Sequence, residues 1–298
     1  MKYDYPLYRP PSEASSLVIQ ATIGCPHNKC TFCFMYKGKK FKLTPLSEIL
    51  EQITNARLYY GDLVRTIFLA DGNSIILPAD ELIEILNYCY AIFSHLERVT
   101  TYGAAHILLR TKTVDELKKL YDSGLKRIHM GLESGDDIIL KRICKGANSE
   151  EIVKAGRMVK SAGMELSEYV LLGIGGAERW EESAEATASV LNKIEPDFVR
   201  VRTLIIRQGA PLYEQLMNGE FKPASALNIL DETKLLLEKI DVNTLFYSDH
   251  VSNLIQLDGK LPDEKDKLLA KLEAFRNKVV NDLALRKHLE DPYRVETL

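Results

Sequence analysis

Between residues 15 and 250, short apolar runs alternate with longer segments of helical periodicity, and no other feature constrains the fold as strongly. Apolar, strand-like runs lie at 15–24, 65–74, 98–108, 125–135, 164–176, 197–207 and 242–249. Helical patterns fill the intervals: Thr44 to Gly61, 78–96, 113–124, 136–146, 149–163, a stretch ending near Ile194, and 228–240. Several carry their own punctuation. Thr44 is placed to cap the first helix, with Pro45 at its first position and Gly61 as its stop. Thr113 and Glu116 form the Thr-x-x-Glu pattern of a capping box, and Gly124 ends that helix.

Strands separated by helices of this length pair in parallel, because each helix carries the chain back across the sheet. Six or seven such units predict an α/β barrel, complete or of the partial (β/α)6 TIM-barrel type. Residues 1–250 are expected to form the barrel domain, and 251–298 a C-terminal helical extension packed on it, with a charged helix from Asp263 to Leu289. There is no fixed-period repeat and no Pro/Gly/Ser linker. An open doubly wound sheet is the alternative.

In such folds the reactive groups gather at the C-terminal ends of the strands. The cysteines after the first strand, "ADGNS", "YGAAH", "GLESG" and "GIGG" all fall there. The helix-to-strand turns hold only caps and terminators.

A chain of 298 residues can bury enough surface to fold without a metal or disulfides to staple it. With a net charge of −3, it has none of the basic excess usual in nucleic-acid-binding domains. The N-terminal stretch lacks the apolar centre of a secretory signal, and no run of about 18 apolar residues could span a membrane. Five cysteines, an odd number, fit a reducing cytoplasm better than a disulfide framework.

Three of the five, Cys25, Cys30 and Cys33, are spaced C-x4-C-x2-C. Buried cysteines can act as small apolar residues, but three so close beside Pro, His, Asn and Lys suit a soft metal centre. Zinc would want four ligands, with His27 the nearest candidate. Plant-type ferredoxins share the spacing and need a fourth cysteine. Here that would be Cys89, mid-helix among apolar neighbours, or Cys144 in "RICKG". A three-thiolate [4Fe–4S] cluster would instead leave one iron open to a small molecule.

That last arrangement resembles the radical S-adenosylmethionine (SAM) superfamily. Its usual signature, C-x3-C-x-aromatic-C, follows the first strand of a partial barrel. Cys30-Thr31-Phe32-Cys33 matches the second half; the first half has one extra residue, in a loop. The resemblance covers roughly 15–250. It implies a [4Fe–4S] cluster on Cys25, Cys30 and Cys33, and reductive cleavage of SAM to a 5′-deoxyadenosyl radical that abstracts hydrogen from a substrate.

It also implies SAM contacts. Asp71, Gly72 and Asn73 would meet the methionine amino group, although the more usual Gly-Gly-Glu is absent. Glu133 and Ser134 would face the ribose, Lys145 the carboxylate, and Phe32, Gly173 and Ile174 the adenine. A carboxylate suits two hydroxyl donors because it only accepts. Lys145, next to Gly146, could equally complement a helix C-terminus. Tyr102, His106, Arg200, Arg202, Asp249 and His250 are candidates to face the substrate, and a flavodoxin or ferredoxin would supply the electron.

The remaining cysteines are too few for a second four-cysteine cluster, and with the motif starting at residue 25 an N-terminal cobalamin-binding domain is not expected. The pattern resembles the branch of single-cluster proteins that includes oxygen-independent coproporphyrinogen dehydrogenases. The competing readings are an iron–sulfur electron-transfer or regulatory protein that cleaves no SAM, and a barrel with Lewis-acid zinc.

Overall fold

The computed structural model describes residues 3–291. The chain divides into two compact units, one of residues 1–28, 35–130 and 154–166, the other of 29–34, 131–153 and 167–298.

The first unit contains β1 (Leu17–Gln20), β2 (Thr22–Ile23), β3 (Lys42–Leu43), α1 (Leu46–Tyr60), β4 (Thr66–Ala70), α2 (Ala79–Ile92), β5 (Arg98–Gly103), α3 (Ala105–Thr111), α4 (Val114–Asp122) and the start of β6 (Leu125–Glu133). β1, β4, β5 and β6 are parallel neighbours in that order. β4 is buried along its whole length, as a central parallel strand covered on both faces must be. β2 and β3 form a separate antiparallel ladder that closes the base of the loop between them.

The second unit holds α5 (Asp137–Arg142), most of β7 (Glu165–Leu172), α7 (Trp180–Ile194), β8 (Phe198–Thr203), α8 (Pro211–Met217), α9 (Ala226–Lys239), β9 (Thr244–Tyr247), β10 (Gly259–Leu261), α10 (Lys265–Asn281) and α11 (Leu283–Glu290). Between α5 and β7 comes α6 (Ser149–Ser161), shared by the two units. β7, β8 and β9 are parallel; β10 returns antiparallel to β9. Six strand–helix repeats, starting at β1, β4, β5, β6, β7 and β8, make the mixed α/β arrangement of a partial TIM barrel. Among the described residues no helix is long and apolar enough to cross a membrane.

Some boundaries differ from the sequence reading, for local reasons. The run 15–24 is two strands, broken at Ala21, whose N–H turns to the carbonyls of Ile19 and Ala70. Thr44 does not cap α1: its hydroxyl donates to the Gln20 carbonyl, and Pro45 occupies the cap position. The run 98–108 stops at Gly103 and continues as α3, whose Ala105, Ile107 and Leu108 face the core. The segment after the 197–207 run opens a further helix, α8, with Pro211 at its start. The C-terminal charged stretch is two helices preceded by a short strand. The Thr113–Glu116 capping box forms as expected.

Two buried carboxyl groups tie the strands together. Glu13, on a short 3-10 turn, lies 3.1 Å from His129 Nε2 and accepts from Ser16 Oγ, with Arg98 3.7 Å away. Burial alone would raise its pKa. The bonds from His129 and Ser16, with the nearby charges, outweigh burial and lower it. The N-terminal segment is thereby stitched to β5 and β6.

In the second unit the fully buried Glu232 of α9 accepts from the Gly173 N–H at 2.7 Å, just past β7, where Gly173 has φ 82°. Burial pushes the Glu232 carboxyl up to about 8 despite this bond and one from Ser183. Below the ordinary carboxylate range both folded and unfolded chains hold the proton. Between there and pH 8 only the folded chain does, so stability falls as pH rises through that window. Glu232→Gln keeps an acceptor for Gly173 and cannot ionise. Urea unfolding across pH 5–8 should show the wild type losing about 4 kcal/mol relative to this variant; parallel pH profiles would contradict the assignment.

Candidate functional site

The loop 24–41 runs from the end of β2 to the start of β3 and carries all three clustered cysteines. Each is half-buried, and none is in a disulfide. Cys89 differs: it is fully buried in α2, and burial pushes its thiol up to about 12, far from the thiolate a cluster needs. Cys144 is exposed, in a left-handed conformation with φ 54° beside Lys145.

In the first unit the loop is held by Asp71, the residue directly after β4. Its carboxylate is fully buried and accepts from the Gly24 N–H at 3.2 Å, Gln20 Nε2 at 3.3 Å and Tyr36 Oη at 3.3 Å. Lys39 Nζ stands 3.6 Å away. Burial raises the Asp71 pKa against the pull of these donors. The Asp71 N–H in turn donates to Thr22 Oγ1. One side chain thus binds both the start of the loop, at Gly24, and its far half, at Tyr36 and Lys39.

Gly72 is required by close approach. A Cβ there would stand 3.0 Å from Cys25 Cβ and 2.9 Å from the Tyr36 ring, so any side chain would push the cysteine aside. Asn73 is buried, and its Oδ1 accepts no hydrogen bond among the described residues. An orphaned acceptor of that kind suits an ammonium donor. On the same unit the His106 ring packs on His27 of the cysteine loop, with centroids 4.6 Å apart. Tyr102 stands edge-on to Phe68.

In the second unit Cys30 and Cys33 lie in a turn fixed by two backbone bonds. The Thr31 N–H donates to the Ile143 carbonyl, and the Leu212 N–H of α8 donates to the Thr31 carbonyl. Glu133 ends β6 with φ 64°, and Lys145 Nζ donates to its Oε1 at 2.8 Å. Both are largely buried. Burial acts to lower the Lys145 pKa, but the Glu133 carboxylate and the Cys30 sulfur beside it leave it raised, so the ammonium stays charged. Gly131 makes room for the pair: a Cβ there would overlap Glu133 Oε1 and lie 2.8 Å from Lys145 Nζ.

Ser134 and Ile174 are fully buried. The Ser134 hydroxyl pairs with Ser183 and accepts from the Asp136 N–H, so it shapes the turn after β6. Phe32 is half-buried. Arg202 lies on β8 and His250 just beyond β9, both in the second unit.

Three contributors escape the motif reading: Tyr36, Lys39 and Glu232. Only Glu232 leaves a trace in the sequence, as a charged residue where α9 repeats buried positions Leu230, Thr233, Leu236 and Leu237.

Among the described residues no three His, Cys, Asp or Glu side chains are gathered closely enough to hold a single metal ion. In a [4Fe–4S] cube each thiolate binds its own iron, so its ligands stand farther apart than those of one ion. Three accessible thiols on one loop fit a cluster; in the first unit the orphaned Asn73 acceptor suits an ammonium group, and in the second the charged Lys145 suits a carboxylate.

A profile of the radical SAM superfamily matches residues 19–186. An uncharacterized protein of Methanocaldococcus jannaschii is 26% identical over 211 residues, 67% of this chain and 64% of that protein. Biotin synthase of Maridesulfovibrio salexigens is 29% identical over 61% of this chain and 54% of its own. The chain therefore spans less than two thirds of the length of either relative. Among solved structures, methylornithine synthase superposes with a TM-score of 0.51 at 17% identity, over 87% of this chain and 81% of that one. Coproporphyrinogen III oxidase from Escherichia coli, a radical SAM enzyme, gives 0.54 at 16%, over 76% and 52%. These likenesses carry the fold. With the profile covering more than half of the sequence, the chain belongs to the radical SAM superfamily, a family of enzymes that use a [4Fe–4S] cluster and SAM.

Proposed function

We propose that this chain holds one [4Fe–4S] cluster on Cys25, Cys30 and Cys33 and reductively cleaves SAM to abstract hydrogen from a substrate. The observation that carries the reading is the Glu133–Lys145 pair, set beside Cys30 at the end of β6. When bound, the cluster supplies the electron that breaks the sulfonium bond, and SAM supplies the hydrogen-abstracting 5′-deoxyadenosyl group.

The chain's own residues bind and orient. Lys145 has three ammonium protons and spends one on Glu133, so it can also meet the SAM carboxylate without leaving its partner. Glu133 keeps acceptor capacity for the ribose hydroxyls. Asn73 Oδ1 accepts from the amino group. Asp71 positions the loop through its bonds to Gly24 and Tyr36, and Glu232 positions the Gly173 turn beside the adenine. Phe32 and Ile174 provide apolar surface around that site. Tyr102 and His106 are the substrate candidates of the first unit. In the expected C-terminal extension α10 packs on α9; its last residues, 292–298, lie outside the described residues. None of the five cysteines is in a disulfide, which fits a reducing cytoplasm, with a flavodoxin or ferredoxin as donor.

Anaerobic reconstitution should give roughly four irons per chain and 5′-deoxyadenosine from SAM and dithionite. Cys30→Ala should hold less iron and form none of the nucleoside. Cleavage surviving in that variant, or zinc in place of iron, would overturn the proposal. Gly131→Ala should weaken SAM binding at least ~10-fold, roughly 1.4 kcal/mol, with the far-ultraviolet circular dichroism unchanged. Equilibrium dialysis with labelled SAM measures this, and an unaltered affinity would remove Glu133 and Lys145 from the SAM site.

A further inference from the structure

β7, β8 and β9 are in parallel register, with Tyr169 opposite Arg200, Leu171 opposite Arg202, and Arg200 opposite Tyr247. Partners in register point to the same face of a sheet, and successive residues alternate faces. Val199, Val201 and Phe246 therefore share the other face, where they are completely or almost completely buried. Arg200, Arg202, Tyr169 and Tyr247 lie on the opposite face, towards the C-terminal end of β8.

The two arginines are stacked on aromatic rings. Arg200 Cζ stands 4.5 Å from the Tyr247 ring centroid, and Arg202 Cζ 4.9 Å from that of Tyr169. Such stacking fixes the guanidinium planes and leaves their edges to donate. Those edges are not used up: among the described residues neither Nε has a hydrogen-bond partner, although both atoms are buried. Their charge is not balanced either. Arg200 reaches Asp249 at 3.5 Å, and that carboxylate is more than one-third exposed. Arg202 forms no ion pair among the described residues.

His250 adds a donor rather than a counter-charge. Its Nδ1 accepts from the Ser252 N–H, which leaves the ring proton on Nε2. Burial, and then the charge of Arg202, lower its pKa to about 4, so the ring is neutral near pH 7.

A buried guanidinium whose carboxylate partner is long and partly exposed is costly, and the half-buried guanidinium of Arg202 beside it, with no ion pair among the described residues, adds a second uncompensated charge. We infer that Arg200 and Arg202 form the recognition site for an anionic group, a carboxylate or a phosphate, on the molecule this protein acts on. The planar fork of each guanidinium matches two oxygens of such a group, and the pair together completes its charge. The inference rests on the proposed radical SAM function, because only there does this face become a substrate surface. It assigns the substrate an acidic group that docks at β8, away from the Lys145 ammonium reserved for SAM.

The test is a titration of the full, cluster-loaded chain in the absence of SAM. Inorganic phosphate and, separately, succinate are added at constant ionic strength. The arginine Nε–Hε resonances are followed by NMR, with those of the pair assigned through Arg200→Lys and Arg202→Lys. The expected result is a saturable shift of both resonances with at least one anion, half-saturating in the millimolar range or below; the anion that saturates identifies the group. Arg202→Lys keeps the charge but lacks the fork, and should raise the half-saturation point at least fivefold. Shifts that stay linear with both anions, or a lysine variant that binds as tightly as wild type, would overturn the inference. With no SAM present, failure here and failure of SAM cleavage are read separately.

Discussion

Asp71 is the constraint on which the geometry of the cysteine loop depends. Most of the loop has no regular structure, so its backbone groups need partners from elsewhere. One carboxylate at the end of β4 supplies them for Gly24 and reaches across to Tyr36 and Lys39. Its burial is tolerable because donors surround it. Removing any one donor would leave the acceptor short in a place water does not reach. The loop is thus placed by a strand, and strands are the stiffest elements available to place it.

Buried or half-buried acidic side chains recur in both units, with different work. Glu133 lies at the edge of the interior and keeps a cation charged beside it. Glu232 is deep enough to favour its neutral form and serves as an acceptor for a single turn. Glu13 is equally buried, yet enough donors face it to keep its pKa low. Depth and donor count, not residue type, decide which carboxyl group carries charge.

The fold was legible because its signals are local and repeated. Apolar runs alternate with helical patterns six times, a few of them marked by a capping residue or a glycine stop, and the crossover between parallel strands has one strongly preferred hand. The cysteine spacing was legible because three thiols on one loop have few uses. Other features depend on contacts remote in sequence. Thr44 looks like a helix cap until the Gln20 carbonyl claims its hydroxyl. The run 98–108 is apolar throughout and could be strand or helix by pattern alone; packing breaks it at Gly103. The role of Tyr36 could not be read at all, since its partner is 35 residues away.

The short β2–β3 ladder has a consequence for the unusual cysteine spacing. It joins the two ends of the loop, so the entropy of closing that loop is met by backbone bonds, whether or not anything is bound inside. Once a loop is closed, its length matters little: doubling it costs only about 0.6 kcal/mol. The additional residue between Cys25 and Cys30 is therefore slack in an already closed circuit. Evolution could insert it without redesigning the strands on either side.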